Sequence, residues 1–220
     1  MKKLIFIIAL TIGLFAGYAF GGNEMRGESE IAKKAIAIYC ELSDGIAPLE
    51  VNLFVSHSFT GTPKLDISGP GEPVINTESK REYRIRFDKE GIYTCRAEVT
   101  DEQGKTHSAT HTIFVRTKKQ LTDLLVSIWN KMKERLIAGN VDGAMEFFEE
   151  SVRENYRHLF SQMAKKGKLA ELAKSLPDPL FLKTEGPIAI FILKREEEGR
   201  LFGAELHFTN VSDQWKILSF

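Results

Sequence analysis

Apolar and polar residues alternate along the first half of the chain, between residues 35 and 116. Val51, Leu53 and Val55 share one face of a predicted strand. The same pattern recurs at Ile36, Ile38 and Cys40, then at Tyr83, Ile85 and Phe87, then at Tyr93, Cys95, Ala97 and Val99. Glycine and proline crowd residues 60–73 around one short predicted strand, 64–67. Six or seven short strands separated by turns predict an all-β sandwich of the immunoglobulin-like kind.

The pattern changes at Lys118 to the spacing of a helix. Apolar residues now recur every three or four positions, at Leu121, Leu124, Leu125, Ile128, Trp129, Met132 and Leu136. Gly139 is predicted to end this helix, and Asp142 to cap a short second one. Ser151 is predicted to begin a third helix, and a fourth is predicted over residues 169–176.

Strand patterning returns in the last part of the chain. Residues 188–193 are apolar on both faces, which predicts a strand covered on both sides. A hairpin tip at residues 196–199 leads to a partner strand, whose apolar face is predicted to be Phe202, Ala204, Leu206 and Phe208. Helices followed by antiparallel strands indicate an α+β domain. The predicted fold is therefore two domains, a β-sandwich at 35–116 and an α+β domain with a curved antiparallel sheet at 119–220.

The N-terminus has the pattern of an export signal. Two lysines precede an uncharged, mostly apolar run over residues 4–20, and small residues follow it. This predicts a signal peptide over residues 1–21, cleaved after Ala19 or Gly21, and then a polar linker over residues 22–34. The apolar run is also close to the minimum length for crossing a bilayer, so an uncleaved membrane anchor is the alternative. Either way the protein is predicted to be exported, to the periplasm or the cell exterior.

Composition indicates which kinds of ligand and covalent bond to expect. The chain has 30 basic and 30 acidic residues, so it lacks the basic footprint of a nucleic-acid-binding protein. Two cysteines in an exported chain predict a disulfide between Cys40 and Cys95. Neither cysteine has companions at the short spacing of a metal site, and no metal ligand or cofactor is predicted.

The first domain resembles the polycystic kidney disease (PKD) domain, an immunoglobulin-like module of exported proteins. The matching residues are Gly45, Pro48, Leu49 and Val51 near its start, and Gly91, Tyr93, Val99, Asp101 and Gly104 near its end. The central Trp-Asp-Phe-Gly-Asp-Gly signature of that family is replaced by KLDISGPG at 64–71, which leaves another immunoglobulin-like domain open. The resemblance implies spacing, adhesion or ligand contact outside cells, without catalysis. Tyr93, two residues before Cys95, is predicted to fix a corner by bonding back to the backbone.

The second domain resembles the nuclear-transport-factor-two-like cone. The resemblance rests on the order of helices and strands and on patches at Trp129, at 139–141 and at 215–217. That fold implies isomerases, dehydratases and many proteins that are not enzymes, so the fold alone does not decide the function.

Catalytic residues are not predicted. Glu205 and His207 share the strand face opposite the apolar one, which indicates a solvated surface. His158 lies opposite the apolar stripe of its helix. His107 and His111 are about 13 Å apart along a predicted strand, too far to bind one ion. The chain also lacks the Gly-x-Ser-x-Gly, His-Glu-x-x-His and phosphate-loop motifs.

The predicted function is a non-catalytic interaction or adhesion protein of the cell envelope, with a protein or glycan as its partner. Whether the chain is an enzyme stays open, and the alternative is a small-ligand-binding or enzymatic second domain. That alternative requires a pocket between helices and sheet. If the side chains of Trp129, Phe147 and Phe160 fill the space between helices and sheet, this alternative is excluded.

Overall fold

The computed structural model describes residues 36–197, 200–211 and 213–220. The predicted signal peptide, the whole predicted linker and the possible membrane anchor lie outside the described residues. Within the described part, every helix is too short or too polar to cross a membrane.

Two four-stranded sheets form the first half of the described chain. Their strands are β1 (Ile36–Cys40), β2 (Asp44–Ile46), β3 (Leu49–His57), β4 (Lys64–Ser68), β5 (Val74–Thr77), β6 (Glu82–Phe87), β7 (Gly91–Thr100) and β8 (Thr106–Arg116). The first sheet has the order β1-β3-β6-β5, and the second has the order β2-β8-β7-β4. Neighbouring strands are antiparallel except β2 and β8, which are parallel. The predicted all-β character of this region is confirmed, although β2 and β5 had no sequence prediction.

Alternation along the strands builds the core between these sheets. The predicted inward residues Val51, Leu53 and Val55 are buried on β3, and Tyr93 and Cys95 are buried on β7. Apolar burial of this kind is the main stabilising term for a small sandwich.

The predicted tyrosine corner is confirmed. The Tyr93 hydroxyl donates a hydrogen bond of 2.9 Å to the carbonyl oxygen of Lys89. The turn before it depends on Gly91, whose φ is 143°, in the range that favours glycine. A Cβ atom at Gly91 would lie 2.3 Å from Cγ of Pro70, so a larger residue would displace that proline.

The predicted disulfide is absent, because Cys40 and Cys95 are free thiols in this structure. The Cys40 thiol donates a hydrogen bond of 3.3 Å to the carbonyl oxygen of Leu42. Burial raises the pKa of Cys40 to about 11 and the pKa of Cys95 to about 12. Both therefore stay protonated and poorly nucleophilic near neutral pH. Disulfide formation depends on the Cα separation and the side-chain directions of the two cysteines, which their spacing along the chain does not reveal.

The second half contains helices followed by one antiparallel sheet, as predicted. The helices are α1 (Lys118–Ile137), α2 (Val141–Met145), α3 (Glu150–Lys165) and α4 (Leu169–Ser175). The strands are β9 (Pro179–Glu185), β10 (Ile188–Glu197), β11 (Arg200–Val211) and β12 (Gln214–Ser219), in the order β12-β11-β10-β9. The strand β9 had no sequence prediction.

Two helices begin at residues other than those predicted. Asp142 was expected to cap α2, but the Asn140 side chain accepts the hydrogen bond from the Gly143 amide. Ser151 was expected to cap α3, but the Glu149 carboxylate accepts from the Ser151 amide instead. Each true cap lies two residues earlier than expected, because any nearby oxygen acceptor can satisfy a free amide of the first turn.

A second core lies between these helices and the last sheet. The buried residues of α1 are Leu121, Leu125, Trp129, Met132 and Leu136, all on the predicted face. Leu206 and Phe208 are buried on β11 as predicted, but Phe202 is 51% exposed and Ala204 is also exposed. Only the part of β11 away from the β10–β11 hairpin is covered, so alternation alone overestimated the buried face.

A short connection joins the two cores within the compact unit formed by residues 34–220. Asp44 on β2 forms two hydrogen bonds of 2.7 Å with the guanidinium of Arg116, at the end of β8. Ile46 packs against the second core, and Ser43 is hydrogen-bonded to Asp213. Thr117 follows β8 directly and caps α1. The strand β2 thus belongs to the second sheet and also contacts the helical half.

Candidate functional site

A groove lies on the outer face of the first sheet. Its volume is about 450 Å³, within the range of ligand-binding sites. We call it the aromatic groove, and it is lined by Tyr39, Cys40, Glu41, Asn52, Leu53, Phe54, Glu78, Glu82 and Tyr83. The lining comes from β1, β3 and β6 and from the turn before β6.

Strand register places two aromatic rings side by side in this groove. Tyr39 on β1 lies opposite Phe54 on β3, and Phe54 lies opposite Glu82 on β6. Residues opposite one another project from the same face of a sheet. This face is the outer one, because the alternate residues Leu53 and Val55 point into the core. Tyr39 is 61% exposed and Phe54 is 39% exposed, so both rings are open to solvent.

The groove has a negative electrostatic character. Glu41, Glu78 and Glu82 line it, and among the described residues no lysine or arginine lies within salt-bridge distance of their carboxylates. The amide of Asn52 donates to Glu41 at 3.4 Å. The arginines nearest in register, Arg84 and Arg86, are not in the lining.

The arginines of this sheet face are already engaged. Glu50 accepts from Arg84 at 2.9 Å and lies 3.7 Å from Arg86. Arg86 also pairs with Asp88 at 2.7 Å. Arg84 and Arg86 are thus paired beside the groove, and the groove carboxylates form no salt bridge among the described residues.

This arrangement is suited to binding. Aromatic rings present apolar faces for stacking, and the carboxylates and the Asn52 amide supply hydrogen-bond acceptors and donors. The nearest nucleophile is the Cys40 thiol, whose pKa is raised to about 11 by burial. A thiol in that state is a poor nucleophile at neutral pH.

Glu205 and His207, considered in the sequence as a catalytic pair, lie on the outer face of the last sheet as predicted. His207 Nε2 is 2.8 Å from Glu205 Oε2, and His207 Nδ1 is 3.2 Å from Ser219 Oγ. Sequence reasoning missed Ser219, which reaches His207 through the β11–β12 register. The three residues line neither the aromatic groove nor the cavity described below.

The other histidines do not form a metal centre. His107 Nε2 bonds to Asp101 Oδ2 at 2.8 Å, and His111 Nε2 is buried without a hydrogen-bond partner among the described residues. His158 is exposed on α3, as predicted. In the described part of the chain, groups of three or more ligand-type side chains are not arranged around a common point.

His57, at the end of β3, is a buried titratable residue that the sequence reasoning did not single out. It is 8% exposed, and its Nδ1 accepts a hydrogen bond of 3.3 Å from the Phe59 amide. Its Nε2 is buried and has no hydrogen-bond partner within the described ranges. The Phe59 ring stacks on His107 at 4.2 Å and lies parallel to His57 at 6.4 Å. Burial, and then the charge of Arg81, lower the pKa of His57.

We expect His57 to make the protein less stable in mild acid. The unfolded chain has an ordinary histidine pKa of 6.5, and the folded pKa lies below it. In that window the unfolded state binds more protons, so the free energy of unfolding falls as the pH decreases. Urea unfolding should be measured at about pH 7 and about pH 5. Between these two pH values, the free energy of unfolding should fall less for His57→Gln than for the wild type.

His158→Gln is the matched control for this pH experiment, because His158 is exposed. That variant should keep the wild-type dependence on pH. Asp101 does not interfere, since its pKa is lowered from 3.8 by the His107 hydrogen bond and it titrates below the window. If the free energy of unfolding falls equally in acid for His57→Gln and the wild type, His57 is not the cause of the pH dependence.

A second cavity of about 190 Å³ lies where the two halves meet. Ile46 and Leu49 line it from the sandwich, and Thr184 and Trp215 line it from the last sheet. Trp215 Nε1 is buried and unpaired in the described structure. The volume is below that of ordinary ligand sites, and this cavity is a small packing gap beside the junction.

Comparison with known proteins gives no relative to guide the assignment. No protein-family model matches the chain, and no curated protein matches it significantly. The function therefore has to be argued from the residues and the geometry of the aromatic groove.

Proposed function

We propose that this protein is a non-catalytic binding protein of the cell envelope, periplasmic or extracellular, whose partner is a protein or a glycan. The aromatic groove is its binding surface. Export is supported by the two lysines and the uncharged apolar run over residues 4–20. The sandwich is of the PKD type, a kind of module that mediates contacts outside cells.

The fold assignment has its own support. The tyrosine corner at Tyr93 and the two packed four-stranded sheets are features of immunoglobulin-like sandwiches. The helices packed on a four-stranded antiparallel sheet are what a nuclear-transport-factor-two-like cone requires. In this proposal the cone is a packed scaffold and the sandwich carries the binding surface.

The observation that carries the proposal is the exposed pair of rings at Tyr39 and Phe54. Aromatic side chains bury large areas on binding and dominate the energetics of interfaces. Here register holds both rings on one rigid sheet face, so little conformational entropy is lost when a partner binds.

The packed core of the second half argues against the alternative, a ligand pocket between helices and sheet. Trp129 is fully buried, and Phe148 and Phe160 are buried beside it in one core. Phe147 packs against the same core. These side chains occupy the space between helices and sheet in which a ligand would have to lie.

The proposal is tested with the double variant Tyr39→Ala/Phe54→Ala. Full-length protein is titrated against cell-envelope material of the source organism, and the bound fraction is measured by co-sedimentation. We expect the double variant to bind at least about tenfold more weakly, since each ring contributes as an interface anchor. Circular dichroism should show unchanged folding, because both side chains are exposed.

Leu180→Ala/Leu182→Ala is the matched control. Both leucines are 50% exposed on β9, so this pair removes a comparable exposed apolar surface away from the groove. It should bind as the wild type does. Loss of binding in the leucine variant, with full binding in the ring variant, would place the binding surface on the last sheet and refute the proposal.

A further inference from the structure

We infer that the aromatic groove binds an extended, basic segment of a partner protein, one that carries lysine or arginine side chains. The inference rests on the proposed function and names the partner class for the same surface. It is carried by charge complementarity, by the exposed rings and by the shape of the groove.

Three carboxylates line the groove, and none of the described basic side chains does. On the same sheet face, Glu50 is paired with Arg84 and Arg86. The charges of this face are thus separated, with these two arginines paired outside the groove and the carboxylates of Glu41 and Glu82 within it without a salt bridge to any described residue. A ligand that brings cations would compensate these carboxylates, whereas an acidic ligand would be repelled.

The rings favour the same ligand. A lysine ammonium or an arginine guanidinium is attracted to the face of an aromatic ring. Tyr39 and Phe54 lie in one row with the Glu82 carboxylate. A cationic side chain above this row would contact a ring and a carboxylate together. A neutral glycan could stack on the rings, but it would leave the negative charges uncompensated.

The layout of the groove favours an extended chain over a small cation. The row from β1 to β6 spans two strand spacings, roughly 10 Å. Glu41 follows β1 at one side of the groove, and Glu78 and Glu82 lie at the hairpin between β5 and β6. Acceptors spread over that distance match charges spread along a peptide, and they do not converge on one point.

The experiment measures binding of labelled nonapeptides by fluorescence polarisation to full-length protein. The peptides consist of glycine and serine with three lysines, three arginines or three glutamates, and a neutral oligosaccharide panel is run beside them. We expect the lysine and arginine peptides to bind and the glutamate peptide not to bind. Affinity should fall at least about tenfold between about 50 mM and about 500 mM salt, because screening weakens exposed charge pairs.

The decisive variant is Glu41→Gln/Glu78→Gln/Glu82→Gln, which should weaken binding of the basic peptides at least about tenfold. Glu134→Gln/Glu146→Gln/Glu171→Gln is the matched control, since it changes the net charge equally at exposed positions on the helical side. The control should bind as the wild type does, which excludes an effect of net charge.

Two outcomes would overturn the inference, and they are distinguishable. Oligosaccharide binding that requires Tyr39 and Phe54 but not the three carboxylates would leave the proposed function standing and replace the peptide with a glycan. Absence of basic-peptide binding, together with unchanged envelope binding by Tyr39→Ala/Phe54→Ala, would refute the inference and the proposed function together.

Discussion

Replacing Trp129 with alanine is expected to lower the free energy of unfolding by about 4 kcal/mol, the range found for large aromatic side chains in cores. Trp129 is fully buried in the second core. Its ring meets Phe220 edge-to-face with centroids 4.8 Å apart. Its Nε1 donates a hydrogen bond of 3.1 Å to the carbonyl oxygen of Pro177. The alanine variant loses all three contributions and leaves a cavity.

Urea unfolding followed by circular dichroism measures this loss. Trp129→Phe keeps most of the apolar volume and loses the hydrogen bond, so it should cost less than the alanine variant, about 1 to 2 kcal/mol. This second variant keeps the prediction testable if Trp129→Ala does not fold. Leu159→Ala is the control and should cost under about 1 kcal/mol, because Leu159 is 42% exposed. Equal losses for Trp129→Ala and Leu159→Ala would contradict the assignment of Trp129 to the core.

Strand positions in the sandwich could be predicted where one face is buried. The residues Val51, Leu53 and Val55 alternate strictly, and each is nearly inaccessible in the structure. The period of two is then dictated by the core, and a register shift would expose the whole apolar face. The Tyr93 hydrogen bond was predictable for a related reason, since it closes a local loop of four residues.

Two of the strands that were not predicted, β5 and β9, lack this signal. All four residues of β5 are exposed, as its burial pattern shows. β9 begins at Pro179 and carries the exposed Leu180 and Leu182. Both are edge strands, which need only one hydrogen-bonded neighbour and no apolar face. Proline is tolerated at the first position of a strand, so Pro179 is compatible with the start of β9.

The aromatic groove could not be located from the sequence, because it depends on pairing between distant residues. Tyr39 and Phe54 stand on separate strands, and only their register makes them neighbours. Each residue by itself is an ordinary exposed aromatic on a strand. The contact between Ser219 and His207 could not be predicted for the same reason, since it follows from the pairing of β11 with β12.

Removing the Arg116 side chain with Arg116→Met is expected to lower the free energy of unfolding by about 3 kcal/mol. The Asp44 side chain is 5% exposed, and its two oxygens accept hydrogen bonds of 2.7 Å from Nε and Nη2 of Arg116. Without the guanidinium, the buried Asp44 carboxylate loses both hydrogen-bond partners. The cost of that unpaired charge is what makes a buried pair sensitive to deletion of one side.

The exposed pair of Arg84 and Glu50 provides the matched control for this prediction. Its side chains are 58% and 48% exposed, so Arg84→Met should cost under about 1 kcal/mol. The double variant Asp44→Asn/Arg116→Met should be more stable than the sum of the single losses implies, because the second change removes the unpaired charge. Strictly additive losses would show that the pair is not coupled.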